Sequence, residues 1–260
     1  MIPEFTKAIV RPPCTRFAAG LTSVDLGRPD LERALQQHRA YCDALESCGL
    51  KVVQLPPDEK HPDSTFVEDT AVLTTRGAII TRPGAGSRLG EIDAIEPVLR
   101  SYFNELHSIR EPGTVDGGDV CQAGEHFFIG LSGRTNEEGA NQLARWLEGI
   151  GYTSSLIDIR GISNILHLKS GLAYIGGDRL LLVETFPQHE EFRRYELTYL
   201  NSVEMYAANC LALNGKVLVA AGFDTTKKHL EHLGYQTIAL EMSEFQKMDG
   251  GLSCLSLRFR

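Results

Sequence analysis

GLAYIGGDRLLLV, residues 171–183, sets two aliphatic runs on either side of a Gly-Gly-Asp turn. Aliphatic and β-branched residues flanking a glycine-bearing turn read as two short paired strands. Three more stretches repeat the pattern: TAVLTTRGAIITRP (70–83), DVCQAGEHFFIG (119–130) and CLALNGKVLVAAG (210–222). Asn214-Gly215 in the last of these is a favoured hairpin dipeptide. The segments after the hairpins are also alike, a helical stretch and then a short extended one. The spacing predicts a helix over 89–104, with Ile92, Ile95, Leu99 and Phe103 on one face. A second runs over 136–150 with Ala140, Leu143, Leu147 and Ile150, and a shorter one lies around Thr225–Leu233. YTSSLIDI (152–159) and YQTIALEM (235–242) are the extended closers.

The N-terminal region offers a strand, KAIVRPP (7–13), then a helix and a second strand, KVVQLPP (51–57). Leu31, Leu35, His38, Cys42 and Leu45 fall at helical spacing between them. This module lacks one hairpin strand. SCLSLRFR (253–260) can supply it, so that the first and last segments pair and close a ring. The result is an α/β chain of about five ββαβ modules of ~40–55 residues each, within the range of propeller and solenoid repeats. The blander alternative is an ordinary α+β domain whose elements alternate by chance.

Bulk properties narrow the function. With 260 residues, 42% hydrophobic and 23% charged, the chain has the make-up of a soluble globular enzyme. A formal charge of −8 leaves no broad basic footprint for nucleic acid and is compatible with a small cationic substrate. No start combines a basic segment, an apolar run and a small-residue cleavage site, and no apolar run nears the ~20 residues of a membrane span. The six cysteines (14, 42, 48, 121, 210 and 254) form no CxxC pair, as expected of reduced thiols in a cytoplasmic protein.

Four places carry candidate chemistry. Strand alternation over the last segment sets Cys254, Ser256 and Arg258 against Leu255, Leu257 and Phe259, which takes the thiol off the apolar face. It comes after the turn DGG (249–251), which permits close approach of backbone to a ligand. A buried structural thiol is the commoner state of a free cysteine. In ILHLKSG, His167 and Lys169 would face away from Leu166 and Leu168, and a cysteine nucleophile needs such a proton carrier nearby. His229 and His232 lie a helical turn apart with no third ligand, and read as solvated helix residues. VDGGD brackets two glycines with Asp116 and Asp119; acids repel phosphate, but carboxylates lining a pocket suit a guanidinium. An Asx-type turn is the structural alternative. HPDSTFVEDT (61–70) adds Asp63, Glu68 and Asp69 around Phe66 and Val67, a second anionic cluster whose default reading is a solvated loop.

Taken together, HPDSTFVEDT, ITRPGAGSR, VDGGDV, FFIGLSGRTN, LHLKSGL, AANC and KMDGGLSCLSLRF resemble dimethylarginine dimethylaminohydrolases in order and spacing. The likeness runs from about Gly20 to the C-terminus. It implies a five-bladed α/β propeller of pseudo-fivefold symmetry, a single catalytic domain over 1–260 whose hairpin ends converge on a central site. By that resemblance Cys254 is the nucleophile, His167 the general acid/base, and Asp116 the acid that orients it. Family members carry Asp or Glu at this last place, and the shorter Asp116 keeps the charge while changing its reach. Asp63, Phe66, Glu68, Asp69 and Asp119 would bind substrate, with Asp69 and Asp119 nearest the guanidinium. Arg88 and Arg134 would hold the α-carboxylate. Leu21, in the lid GLTSVDLG (20–27), would reach the α-amino group through its backbone. Met248 and Asp249 would line the approach to the thiol, Met248 replacing the usual aliphatic residue with a softer apolar wall.

The implied reaction turns methylated arginine into citrulline and an alkylamine through a covalent thiouronium, and needs no metal or organic cofactor. Two rivals remain. An arginine deiminase would use the same residues on unmethylated arginine, although the larger deiminases carry an added helical domain. A non-catalytic propeller used as a binding module would have no need of Cys254, His167 and Asp116 together. For oligomeric state the expectation is an isologous homodimer.

Overall fold

The computed structural model describes residues 4–186 and 188–260. β1 (Lys7–Val10), α1 (Leu31–Ser47) and β2 (Lys51–Gln54) open the chain. A second module holds β3 (Ala71–Leu73), β4 (Ala78–Ile80), α2 (Glu96–Arg100) and β5 (Leu106–Ser108). The third holds β6 (Val120–Ala123), β7 (His126–Leu131), α3 (Glu137–Gly149) and β8 (Thr153–Asp158). The fourth has β9 (Leu172–Gly176), β10 (Arg179–Val183) and β11 (Glu196–Leu200). The fifth has β12 (Leu211–Leu213), β13 (Lys216–Ala220), α4 (Asp224–His232) and β14 (Gln236–Leu240), and α5 (Ser243–Gln246) and β15 (Ser256–Phe259) come last.

Each module folds into its own three-stranded sheet, five in all among the described residues. Every sheet has the same pattern, an antiparallel pair of which one strand also pairs parallel with a third. In the first module the antiparallel partner is β15, which runs against β1 with Ile9 opposite Leu257 and Val10 opposite Ser256. The ring is therefore closed by the ends of the chain, as the sequence predicts, and the fold is the five-module α/β propeller. The innermost strands surround a central cavity of about 550 Å³, whose wall includes Cys121, Ala173, Ala212 and Leu257.

The helices pack their apolar faces against the outer sides of the sheets. Ala140, Leu143 and Leu147 of α3 are buried with Phe127 and Ile129 of β7. Side-chain caps fix two helix starts: Asp30 accepts the Arg33 N–H at 2.8 Å, and Asn136 accepts that of Gly139 at 2.8 Å. His229 and His232 are exposed on α4, in line with their reading as solvated residues. No helix of the described residues is long and apolar enough to cross a membrane.

Two expectations fail. The helix expected over 89–104 is broken into 3-10 turns across Gly86–Ala94 and the five-residue α2. Pro97 sits in the first turn of α2, where its missing N–H is harmless but where a continuing helix would need one. Gly90 is pressed against His61, leaving no room for an ordinary helical side chain: a Cβ there would lie 2.6 Å from the imidazole. Among the described residues of the fourth module no α-helix comes after the hairpin; a 3-10 turn at Glu190–Arg194 lies between β10 and β11.

Candidate active site

HPDSTFVEDT, expected as a solvated loop, is instead a buried bend leading into a 3-10 turn at Val67–Thr70. It packs against VDGGD so closely that only glycine fits. A Cβ on Gly117 would lie 2.0 Å from the Glu68 carbonyl oxygen, and one on Gly118 would lie 2.9 Å from the His167 ring. The Gly118 N–H donates to Asp69 Oδ1 at 2.8 Å. The paired glycines thus bring two acidic segments and the histidine to one point.

His167 does not lie within a strand. It is an extended residue that precedes a 3-10 turn at Leu168–Ser170. Cys254 likewise sits in a 3-10 turn, Ser253–Leu255, just before β15, so strand alternation does not govern its direction. Both turns are set by neighbouring loops that local periodicity does not record.

These turns meet around a crevice of about 30 Å³. Asp69, Arg88, Arg134 and His167 line it with Cys254, and so do Leu21, Asp63, Phe66, Met248 and Asp249. The other three expected residues, Asp116, Glu68 and Asp119, stand behind this wall. Asp116 is directly behind His167, its Oδ2 3.0 Å from Nε2, while its Oδ1 accepts the Gly84 N–H at 2.8 Å. Glu68 and Asp119, expected to bind substrate, face elsewhere. Asp119 is fully buried, with Ser132 Oγ, Thr135 Oγ1 and the Leu168 N–H donating to it at 2.6–2.9 Å. It holds the histidine's turn from behind. Glu68 accepts from Ser253 Oγ at 2.7 Å and pairs with Lys169 Nζ at 2.6 Å and Arg258 at 2.9 Å, on the side of the central cavity.

Arg88 is buried and mostly occupied. It donates to Asp69 at 2.6 Å, makes a two-pronged contact with Glu91 at 2.9 and 2.8 Å, and reaches the Phe66 carbonyl at 3.2 Å. One Nη1 proton is left for anything else. The lid is closed over the crevice: the Leu21 N–H donates to Asp63 at 3.0 Å, Ser23 N–H to Asp249 at 2.5 Å, and Thr22 Oγ1 to the Lys247 carbonyl at 3.0 Å. About 30 Å³ holds one water, so an amino acid enters when these bonds open.

Charge is unevenly tuned. Burial opposes an imidazolium at His167, but the carboxylates of Asp119, Asp69 and Asp116 outweigh it and raise the ring to about 9. Burial, and after it the Glu68 and Asp69 charges, pushes the Cys254 thiol up to about 12. The resting pair is thus a neutral thiol and a charged imidazole. Asp69, Asp116 and His167 also offer ligand atoms all within 4.8 Å of one another, the one such group of three among the described residues. Asp69 already accepts from Arg88 and Gly118, and Asp116 from Gly84 and the charged His167, so the group is held together as an ion-pair network.

No family model matches the sequence. The dimethylarginine dimethylaminohydrolase of Pseudomonas aeruginosa is 45% identical over 256 residues, covering 98% of this chain and 100% of that one. This chain belongs to the dimethylarginine dimethylaminohydrolase family. The family's Streptomyces coelicolor member is 34% identical over 98% of this chain and 97% of its own length. Among solved structures, a cysteine-to-serine variant of the Pseudomonas aeruginosa enzyme complexed with citrulline superposes with a TM-score of 0.95, at 43% identity, covering 99% of this chain and 100% of that one. The N-terminal domain of ArgZ, a cyanobacterial arginine dihydrolase, shares the fold at 17% identity with a TM-score of 0.88, covering 99% of this chain and 98% of that one.

Sequence reading missed Glu91, Ser132, Thr135, Asn209 and Ser253, all of which hold the site's residues in place. Hydroxyl and amide side chains carry no periodic signal. Ser132 and Thr135 reach Asp119 across 13 and 16 residues, and Asn209 reaches Ser253 across 44.

Proposed function

We propose that this chain hydrolyses Nω-methylated L-arginine, dimethyl or monomethyl, to L-citrulline and an alkylamine. The observation that carries this reading is the convergence of Cys254, His167 and the acids Asp63 and Asp69 in one lidded crevice, in a chain of this family. The family's Pseudomonas aeruginosa member, whose variant holds citrulline, supports the product.

In this mechanism the lid lifts, and the substrate guanidinium settles against Asp69 with its central carbon by Cys254. Arg134 and the free donor of Arg88 take the α-carboxylate, and the Leu21 backbone takes the α-amino group. The arriving cation offsets the charges of Glu68 and Asp69, which add to burial in holding the thiol neutral, and the thiol loses its proton to solvent. The thiolate attacks the guanidinium carbon. His167, already charged, gives its proton to the departing alkylamine nitrogen as the C–N bond breaks. A thiouronium remains on Cys254. Neutral His167 then takes a proton from water as its oxygen adds to the same carbon. The C–S bond breaks as the adduct's hydroxyl proton passes to the departing sulfur, leaving citrulline and the resting thiol of Cys254. Asp116 orients and charges His167, while Glu68 and Asp119 act from behind by fixing the two turns. Holding both ends of the substrate supplies orientation, a large share of rate enhancement in such reactions. An isologous homodimer working in the cytoplasm completes the proposal; the free, unpaired cysteines support the compartment.

Incubation with asymmetric dimethylarginine, monomethylarginine and arginine, with citrulline and amine measured, tests the reading. Turnover of the methylated substrates is expected, with Cys254→Ser slower by ~10³-fold or more. Turnover of arginine alone would make the protein a deiminase, and normal turnover by Cys254→Ser would overturn the mechanism.

A further inference from the structure

We infer that Asn209 is a positioning residue for this reaction, holding the nucleophile's turn in register with the histidine's turn; the inference rests on the function proposed above.

Asn209 lies between a 3-10 turn at Met205–Ala208 and β12, and its side chain is outside the crevice. Its Oδ1 accepts the Ser253 N–H at 2.9 Å. Its Nδ2 donates to the Lys169 carbonyl at 2.9 Å and to Ser253 Oγ at 3.2 Å. The orientation of the amide is fixed by these partners, because turning it over would set oxygen against the Lys169 oxygen and N–H against N–H. Lys169 is two residues past His167, and Ser253 immediately precedes Cys254. One side chain therefore bonds both backbones that carry the reacting groups.

The link extends to a third turn. Ser253 Oγ accepts from Asn209 and donates onward to Glu68 Oε2 at 2.7 Å, next in sequence to Asp69. Packing leaves the amide no slack on its other side. A Cβ on Gly251 would lie 2.5 Å from Asn209 Oδ1, and the Gly251 carbonyl accepts the Cys254 N–H at 3.2 Å. Any shift of Asn209 is passed to the thiol through Ser253 and Gly251, and to the imidazole through Lys169. A displacement of ~1 Å between reacting groups costs on the order of 100-fold in rate.

Asn209→Asp keeps the shape and Oδ1, but turns the donor that faces Lys169 into an acceptor and puts a further carboxylate near Glu68. The expected result is kcat on asymmetric dimethylarginine down by ~100-fold, with KM and citrulline affinity by calorimetry held within about threefold. The pH profile of Cys254 alkylation by iodoacetamide is expected to move to higher pH. Should that variant not fold, Ser253→Ala is read in the same assays, with a smaller loss of ~10-fold in kcat and the same retention of citrulline binding. The inference is overturned if a folded variant keeps kcat within about threefold of the parent, or if kcat and citrulline affinity fall together in step with melting temperature. A parent protein that fails to convert dimethylarginine refutes the proposed function instead; the alkylation profiles, which need no substrate, still decide whether Asn209 sets the thiol.

Discussion

His167 Nε2 and Asp116 Oδ2 stand 3.0 Å apart although 51 residues separate them in the chain. The carboxylate cannot swing away, because its other oxygen holds the Gly84 N–H at 2.8 Å. It therefore both aims the ring and favours its charged form. In Asp116→Asn the geometry remains while the charge goes, so His167 loses one of the forces that hold it near 9. The expected outcome is a kcat lower by on the order of 100-fold. The alkaline limb of the pH–rate profile should move to lower pH, and a limb that stays put would show that Asp116 does not tune the ring.

The same histidine sets a dependence of stability on pH. Its folded value of about 9 lies above the ordinary 6.5, so the folded protein binds the proton more tightly. The stability this contributes is full below pH 6.5 and is lost as pH rises through about 9. Melting temperatures of the parent and His167→Gln, taken from about pH 6 to 10, should converge toward the alkaline end. Curves that stay parallel across that window would refute the linkage.

Glu91 makes a different case, since it does not line the crevice and holds Arg88 in two places. Cutting it back in Glu91→Ala leaves a buried guanidinium with one carboxyl partner, Asp69, where it had two. Breaking a buried pair in this way costs about 3 kcal/mol. Urea titration should show that loss as a lower midpoint with an unchanged slope, and an unshifted midpoint would mean that Asp69 alone suffices.

The lid can be tested at its hinge with one methyl group. A Cβ on Gly20 would come within 2.3 Å of Asp63 Oδ1, the atom that accepts the Leu21 N–H. Gly20→Ala must push that carboxylate aside and lose the bond. KM for dimethylarginine is expected to rise by ~10-fold with kcat little changed, the pattern of lost uniform binding. A fall in kcat at constant KM would assign Asp63 to the chemistry instead.

The four hairpins were legible because aliphatic runs flank a glycine-bearing turn in each, and the pairing of β15 with β1 could be read from a missing strand in the first module. The break near Gly90 and Pro97 was visible as residues but outvoted by the spacing of Ile92, Ile95, Leu99 and Phe103. Cys254 and His167 were legible as reactive types, not as turns. Their directions come from Asn209, Glu68 and Asp119, whose bonds span 44, 185 and 49 residues. Short-range pattern cannot report a contact made across such distances. The placement of Glu68 and Asp119 behind the crevice wall was not legible for a related reason: an acid in a pocket motif looks the same whether it lines the crevice or holds the turn behind it.

Pairing of β15 with β1 also has a kinetic side. The strand that completes the first sheet begins at Ser256, two residues after the thiol, and its partner begins at Lys7. Such a join pairs the two ends of the chain, the longest sequence separation among the strand pairings, and non-local pairings of this kind are expected to form late. Four sheets can form from neighbouring segments while the fifth waits. The turn of Cys254, the proposed nucleophile, lies just before that strand, so a molecule in which β15 has not docked is expected to lack an active thiol. Catalytic competence is thereby tied to ring closure itself, and the appearance of activity during refolding becomes a clock for the docking of the final strand.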